Sequence, residues 1–274
     1  MKNLIDGTTI LLPLLYTFTV WIYARAFFTN AASLEPVKRG FLLITLCIHL
    51  AYLLLRTVVF GHPPITTVFE IMSVISFSVS VAYLYLEMRT RVRGTGTFII
   101  VLALFFQVVS SIFIKDLYEV KPVLRSTLLG FHVSTALLGL TAFAISAVYG
   151  SLYLMLYHDI KANRFGVIYK RLPSLEILTT LSFKSTIFGF ILLTTAITIG
   201  FIWLPRAFQS FSYTDPKLIG TFLIWALYGI GLLAKKIGGL HGRRLMILAI
   251  TGFVIAFFSM TIINMFFSSF HNFY

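Results

Sequence analysis

The chain has 274 residues, 58% of them hydrophobic and 11% charged, with a mean hydropathy of +0.94. These proportions exclude a soluble globule and describe an integral membrane protein. The formal charge of +13 does not point to nucleic acid, because the Lys and Arg residues fall in short loops between apolar runs, where they set topology. Cys47 is the single cysteine, which excludes an intramolecular disulfide and a CxxC or CxxCH motif.

Apolar runs long enough to cross a bilayer fall at roughly 7–28, 40–60, 66–87, 97–114, 128–157, 182–204, 217–234 and 245–270. They predict an all-α, polytopic bundle of about eight transmembrane helices, organised as a single membrane domain over 1–274. The first run follows Met-Lys-Asn-Leu-Ile-Asp without a small-residue cleavage site, and it reads as a retained span. His49 lies in the middle of the second span, either as a lower metal ligand or as a buried imidazole bonded to a neighbouring helix. Gly61-His62-Pro63-Pro64 then breaks the chain, which predicts a solvated His62, and Glu70 follows about one and a half turns into the third span. The fifth loop, His158 to Lys184, is the longest, and its segment Pro173–Ser182 reads as a short interfacial helix. The loop from Pro205 to Lys217 is aromatic and lightly charged.

Orientation follows from the loops. Arg25, Lys38 and Arg39 lie around the first, Arg89, Arg91 and Arg93 in the third, Lys161, Arg164, Lys170, Arg171 and Lys184 in the fifth, and Lys235, Lys236, Arg243 and Arg244 in the seventh. They outnumber the basic residues of the even loops and termini, so the odd loops are predicted to be cytoplasmic and both termini outside. His62, His132 and His271 then lie at or near the outer face, and His158 and His241 at the inner one.

His132 opens the fifth span. At about 100° per residue it shares a stripe with Thr135, Gly139, Ser146 and Gly150, side chains small enough for close helix packing, so the imidazole is predicted to point into the bundle. An ionisable group there needs a partner, a ligand or a metal. Zinc usually takes three or four protein ligands, and only His132, His271, His62 and Glu70 could gather on that side. A heme asks for two axial ligands, apolar walls and cations for its propionates. His132 and His271 can supply the first, Phe-rich helix ends the second, and Arg125, Arg206 and Lys217 the third. Arg125 precedes His132 by seven residues, and Asn264 precedes His271 by seven. A structural histidine pair and a multi-ligand metal site remain alternatives to heme.

Several segments in order carry a resemblance: Gly61-His-Pro-Pro-Ile-Thr-Thr-Val-Phe-Glu70; Leu172-Pro-Ser-Leu-Glu176 with Leu181-Ser-Phe-Lys and Gly189-Phe; Gly242-Arg-Arg-Leu with Gly252-Phe; and Asn264 with Ser269-Phe-His271. Together they resemble the cytochrome c assembly family of heme-handling membrane proteins, of the CcsA and CcmC type, over residues 61–274. In that family two outer histidines flank a tryptophan-rich loop and ligate heme. The resemblance implies these roles for His132 and His271, with Glu70, Arg125, Arg206 and Asn264 around a non-covalently bound heme b. His49 and His241 are the next candidates as iron ligands. The corresponding loop here keeps only Tyr213, Asp215-Pro-Lys217 and the nearby Trp225, which fits the HemX-like branch best. That branch implies a multi-pass protein of the bacterial cytoplasmic membrane that holds, transfers or exports heme for cytochrome c maturation or heme homeostasis. Its alternative role is to regulate heme biosynthesis at glutamyl-tRNA reductase through cytoplasmic loops. The implied partners are heme, lipid, other assembly proteins or a heme-biosynthesis enzyme. No nucleophile and base constellation suggests conventional catalysis, and synthase activity by this chain alone is not expected.

Overall fold

An apolar run in hydrocarbon has no water to satisfy its amides, so it closes its backbone hydrogen bonds internally and folds as a helix. The computed structural model describes residues 1–29, 33–90, 92, 94–119, 126–207 and 214–266, with 206, 207 and 262–266 described by backbone alone. Among these residues there are nine helices and no strand: α1 (Lys2–Thr29), α2 (Leu34–Phe60), α3 (Val68–Thr90), α4 (Gly96–Phe113), α5 (Thr127–Lys161), α6 (Val167–Arg171), α7 (Leu175–Ala207), α8 (Pro216–Ile237) and α9 (Arg243–Phe266). All but the five-residue α6 are long and apolar enough to cross a membrane. The predicted all-α bundle of eight spans is the observed architecture.

The fifth loop departs from expectation. The predicted interfacial helix over Pro173–Ser182 is no separate element, because α7 starts at Leu175 and absorbs it, while the short helix of this loop is α6. Pro173 and Ser174 stop the chain before α7, Glu176 stands in its first turn where the helix dipole favours a carboxylate, and no glycine follows until Gly189. Leu178, Leu181 and Ser182 are buried, so these turns pack inside the protein. α5, with 35 residues, is about 52 Å long by helical rise and exceeds a hydrocarbon core of about 30 Å.

The chain divides into two units. The first comprises Met1–Glu119 and Leu156–Ser174. In it α1 packs on α2 and α4, and α3 on the same two, closing a ring of four helices. Ile5, Leu12, Tyr52, Leu53 and Phe60 form one apolar cluster of its core. α3 turns its polar side chains inward: Glu70, Ser73, Ser76, Ser80, Tyr83 and Glu87 are all buried. From Ser73 onward the steps alternate between three and four residues, the 3.5-residue seam of left-handed helix packing. α2 answers this seam at both ends. Arg56 pairs with Glu70 at 3.1 Å, and Lys38 pairs with Glu87 at 3.1 Å. Tyr23 of α1 also donates to Glu87, at 3.0 Å.

A second correction concerns His62, predicted to be solvated. It is 3% exposed, with Nε2 2.9 Å from the Leu117 carbonyl oxygen and Nδ1 3.0 Å from that of Pro63. The turn at Gly61, whose φ of 71° suits a residue without Cβ, directs the following segment back over the bundle. There it meets the segment after α4, which Arg56 also holds through Asp116 at 3.2 Å.

The second unit comprises Val120–Met155 and Leu175–Tyr274. α5 and α7 approach closely where small residues face each other, as the stripe below His132 predicts. A Cβ on Gly139 would lie 3.3 Å from the Gly189 carbonyl oxygen, and Ser146 Oγ bonds to Ser182 Oγ at 2.9 Å and Thr186 Oγ1 at 2.7 Å. Gly150 sets α5 against α9 in the same way, since a Cβ there would meet the Met246 carbonyl oxygen at 3.1 Å. Phe143 of α5 stacks on Tyr228 of α8 with ring centroids 3.8 Å apart.

Candidate functional site

His132 lies one and a half turns into α5 and reaches across to α7, where its Nδ1 is 2.8 Å from the Ala196 carbonyl oxygen. A carbonyl can only accept, so Nδ1 carries the proton. Nε2 is then an unprotonated lone-pair donor, the state in which an imidazole binds a metal. Metal-binding histidines are commonly oriented by this kind of bond from the other ring nitrogen. The approach is possible because residue 200, one helical turn beyond Ala196, is glycine. A Cβ built there would sit 2.9 Å from His132 Cε1 and 3.0 Å from Nδ1.

His132 lines a cleft among α5, α7 and α8, of about 550 Å³ when its open mouth is included, with Gly200, Trp203, Leu204, Lys217 and Phe222 among the walls. Trp203 is held in the wall by its indole, which donates to Ser126 Oγ at 3.2 Å. Lys217 enters from the first turn of α8, which is capped by Asp215 accepting from the Lys217 backbone N–H at 2.8 Å. The arrangement offers one imidazole lone pair, a cation and broad apolar walls. These are the donor set and surface that an iron tetrapyrrole requires.

The other sequence candidates are placed as follows. His271 and Arg125 lie outside the described residues, as do the side chains of Arg206 in α7 and Asn264 in α9. Glu70 belongs to the first unit. Beyond Arg56 it accepts from Thr66 N at 2.9 Å, Thr66 Oγ1 at 2.5 Å and Thr67 N at 3.3 Å. His49 belongs there too, fully buried, with Nδ1 3.0 Å from Tyr16 Oη and Nε2 3.0 Å from Ser73 Oγ. Ser73 donates onward to Gln107 Oε1 at 3.1 Å, so it accepts from His49 Nε2–H while Nδ1 accepts from Tyr16. Both ring nitrogens of His49 are thus engaged across three helices. His241 is exposed beside Arg243 and Arg244 before α9 and bonds through Nδ1 to the Gly239 carbonyl. The neighbouring Gly242 packs on Tyr153, 21 residues along α5 from His132, a separation of about 31 Å along the helix. Among the described residues no three His, Cys, Asp or Glu side chains gather as a metal site.

Ala196, Gly200 and Trp203 were not singled out from sequence. A backbone carbonyl leaves no mark in the residue code, and glycines are frequent in membrane helices. Gly200→Val should push the ring off Ala196 and weaken hemin binding about 10–100-fold, the usual effect of losing a partner that orients a ligand. Hemin titration with helicity monitored by circular dichroism tests this. Unchanged affinity in a folded variant means that His132 does not depend on the Ala196 contact.

The profile of the Cytochrome C assembly protein family matches residues 65–271. Protein HemX of Brevibacillus brevis is 24% identical over 220 residues, covering 80% of each chain. Protein HemX of Bacillus subtilis is 29% identical over 120 residues, 44% of each. The cytochrome c biogenesis protein CcsA of Prochlorococcus marinus is 25% identical over 280 residues, covering 93% of this chain and 90% of that one. The family match begins before α3 and extends past α9, so it takes in α5, α7 and α8, the three helices that build the cleft. The chain therefore belongs to the cytochrome c assembly protein family, with both HemX and CcsA proteins among its relatives.

Proposed function

We propose that this protein holds heme b non-covalently in the α5/α7/α8 cleft and passes it on, for cytochrome c maturation or heme homeostasis, across a bacterial cytoplasmic membrane. The observation that carries the reading is the His132 imidazole, with its proton committed to the Ala196 carbonyl and its lone pair left on Nε2 beside an apolar cleft. His271 is the proposed second axial ligand, with Arg125, Arg206 and Asn264 close to the bound group and both termini on the outer side. The single cysteine, Cys47, provides no CxxCH pair, so attachment is non-covalent. When bound, the heme supplies a low-spin iron centre. The chain's own part is to orient Nε2, exclude water with Trp203, Leu204 and Phe222, and accommodate the acidic edge of the macrocycle.

A second reading follows from the exposed group His241, Arg243 and Arg244. Basic side chains at this start of α9 suit an acidic face on a soluble heme-biosynthesis enzyme, which makes the protein a membrane-bound regulator. The measurement that tests the main reading is the absorption spectrum of the detergent-purified protein, oxidised and reduced. A low-spin, bis-imidazole, b-type spectrum is expected. A colourless preparation that takes up no added hemin removes the heme reading and leaves the regulator.

A further inference from the structure

A second cleft lies toward the opposite end of α5 from His132. Only residues 238–242 join α8 to α9, and both helices are long and apolar enough to span, so the turn between them stays at the membrane surface. The turn and the start of α9 line a cleft of about 860 Å³, open mouth included, whose walls carry His241, Arg243, Arg244 and Ile247. Gly242 has a φ of 57°, and a Cβ there would lie 3.0 Å from Tyr153 Oη, so glycine lets the turn close onto α5. Arg243 and Arg244 are both exposed. No Asp or Glu follows Asp215 in the sequence, and among the described residues neither arginine enters an ion pair.

On the membrane side of the arginines the surface is apolar. Ile237 ends α8 with 82% of its area exposed, Leu233 and Ile230 continue its strip at spacings of four and three residues, and Ile247 stands one turn into α9 in the wall of the cleft. Guanidinium groups are suited to grip a phosphate through paired N–H donors. Here they stand at headgroup level beside aliphatic side chains, which matches an anion with hydrocarbon attached. A free phosphate, or the acidic face of a soluble protein, would meet the arginines and leave the apolar strip without a role. We infer that this cleft binds one anionic phospholipid, with its phosphate on Arg243 and Arg244 and its acyl chains along Ile237 and Ile247. Basic pockets between spanning helices hold anionic head groups by the same combination of charge and position.

The test is native mass spectrometry of the full-length, delipidated protein in detergent, titrated with phosphatidylglycerol, phosphatidylcholine and glycerol 3-phosphate, with helicity checked by circular dichroism. On the wild type, phosphatidylglycerol should bind at least about tenfold tighter than phosphatidylcholine, and an equal concentration of glycerol 3-phosphate should not displace it. Arg243→Gln combined with Arg244→Gln should abolish that preference, and the milder Arg244→Gln alone should lower it. Lys161→Gln combined with Arg164→Gln, at exposed basic positions before α6, should leave it intact. Equal affinity of the wild type for the two phospholipids overturns the inference, and so does an equal loss in the 161/164 pair, which marks diffuse charge. A preference that survives removal of both arginines overturns it too and leaves them to an acidic protein face. Displacement by glycerol 3-phosphate assigns the cleft to a soluble phosphate instead.

Discussion

His132→Ala should weaken hemin binding by at least about 100-fold and remove the low-spin spectrum, with free imidazole restoring part of both. Losing a group that merely orients a ligand already weakens metal sites about 10–100-fold, and here the coordinating atom itself is removed. The substitution leaves the surroundings intact: the vacated volume opens onto the cleft, and the Ala196 carbonyl sits within α7, where it can keep its helical bond. Free imidazole can therefore enter the space of the lost ring. His158→Ala, at an exposed position in the last turn of α5, should change nothing, and His271→Ala should resemble His132→Ala. Occupancy and spectrum that survive both outer substitutions place the ligands elsewhere, with His49 and His241 the next to replace.

The largest effect on stability is expected at Arg56. Its guanidinium is 1% exposed and bonds Glu70 at 3.1 Å, Asp116 at 3.2 Å and the Lys115 carbonyl at 3.4 Å, while lying 4.7 Å from the centre of the Phe60 ring. Arg56→Met fills much of the same volume but leaves Glu70 and Asp116 without their shared cation. Breaking one side of a buried pair typically costs about 3–5 kcal/mol. Glu70 keeps its three bonds from Thr66 and Thr67, which places the expected cost toward the lower part of that range. Adding Glu70→Gln to Arg56→Met should recover part of the loss, because the uncompensated charge is then removed. Unfolding in detergent micelles measures both variants. If Arg56→Met is as stable as the wild type, or the second substitution gives no recovery, the pair is not what holds α2 to α3.

The spans were legible because twenty or so apolar residues in a row have few other fates, and the stripe below His132 was legible because Gly139, Ser146 and Gly150 recur at helical spacing. The start of α7 was harder to place. Lys184 and Glu176 lower the local hydropathy, yet both are carried on the continuous helix. His62 was misread because its burial depends on a carbonyl 55 residues away, and nothing near Pro63-Pro64 announces Leu117. At the site, His132 stood out as an imidazole in an apolar run. The atom that orients it did not, since Ala196 contributes only its backbone. Glu70 looked like a neighbour for a heme group when read alone, and Arg56, fourteen residues earlier, is the partner that the structure gives it.

The two ion pairs at the ends of α2 and α3 also bear on how the chain enters a bilayer. A lone Arg, Lys or acidic residue at the centre of an isolated helix opposes transfer into lipid by roughly 2.5–3.5 kcal/mol, less toward the ends. α3 taken alone carries the buried carboxylates Glu70 and Glu87, and α2 carries their partners, Arg56 at one end and Lys38, itself also paired with Glu35, at the other. Folded together as a hairpin over 34–90, Glu70 meets Arg56, Glu87 meets Lys38, and Ser73 gains the His49 imidazole in place of hydrocarbon. The hairpin, and not α3 alone, is the segment in which both buried carboxylates of α3 meet a cation, which ties the insertion of α3 to its pairing with the helix made just before it.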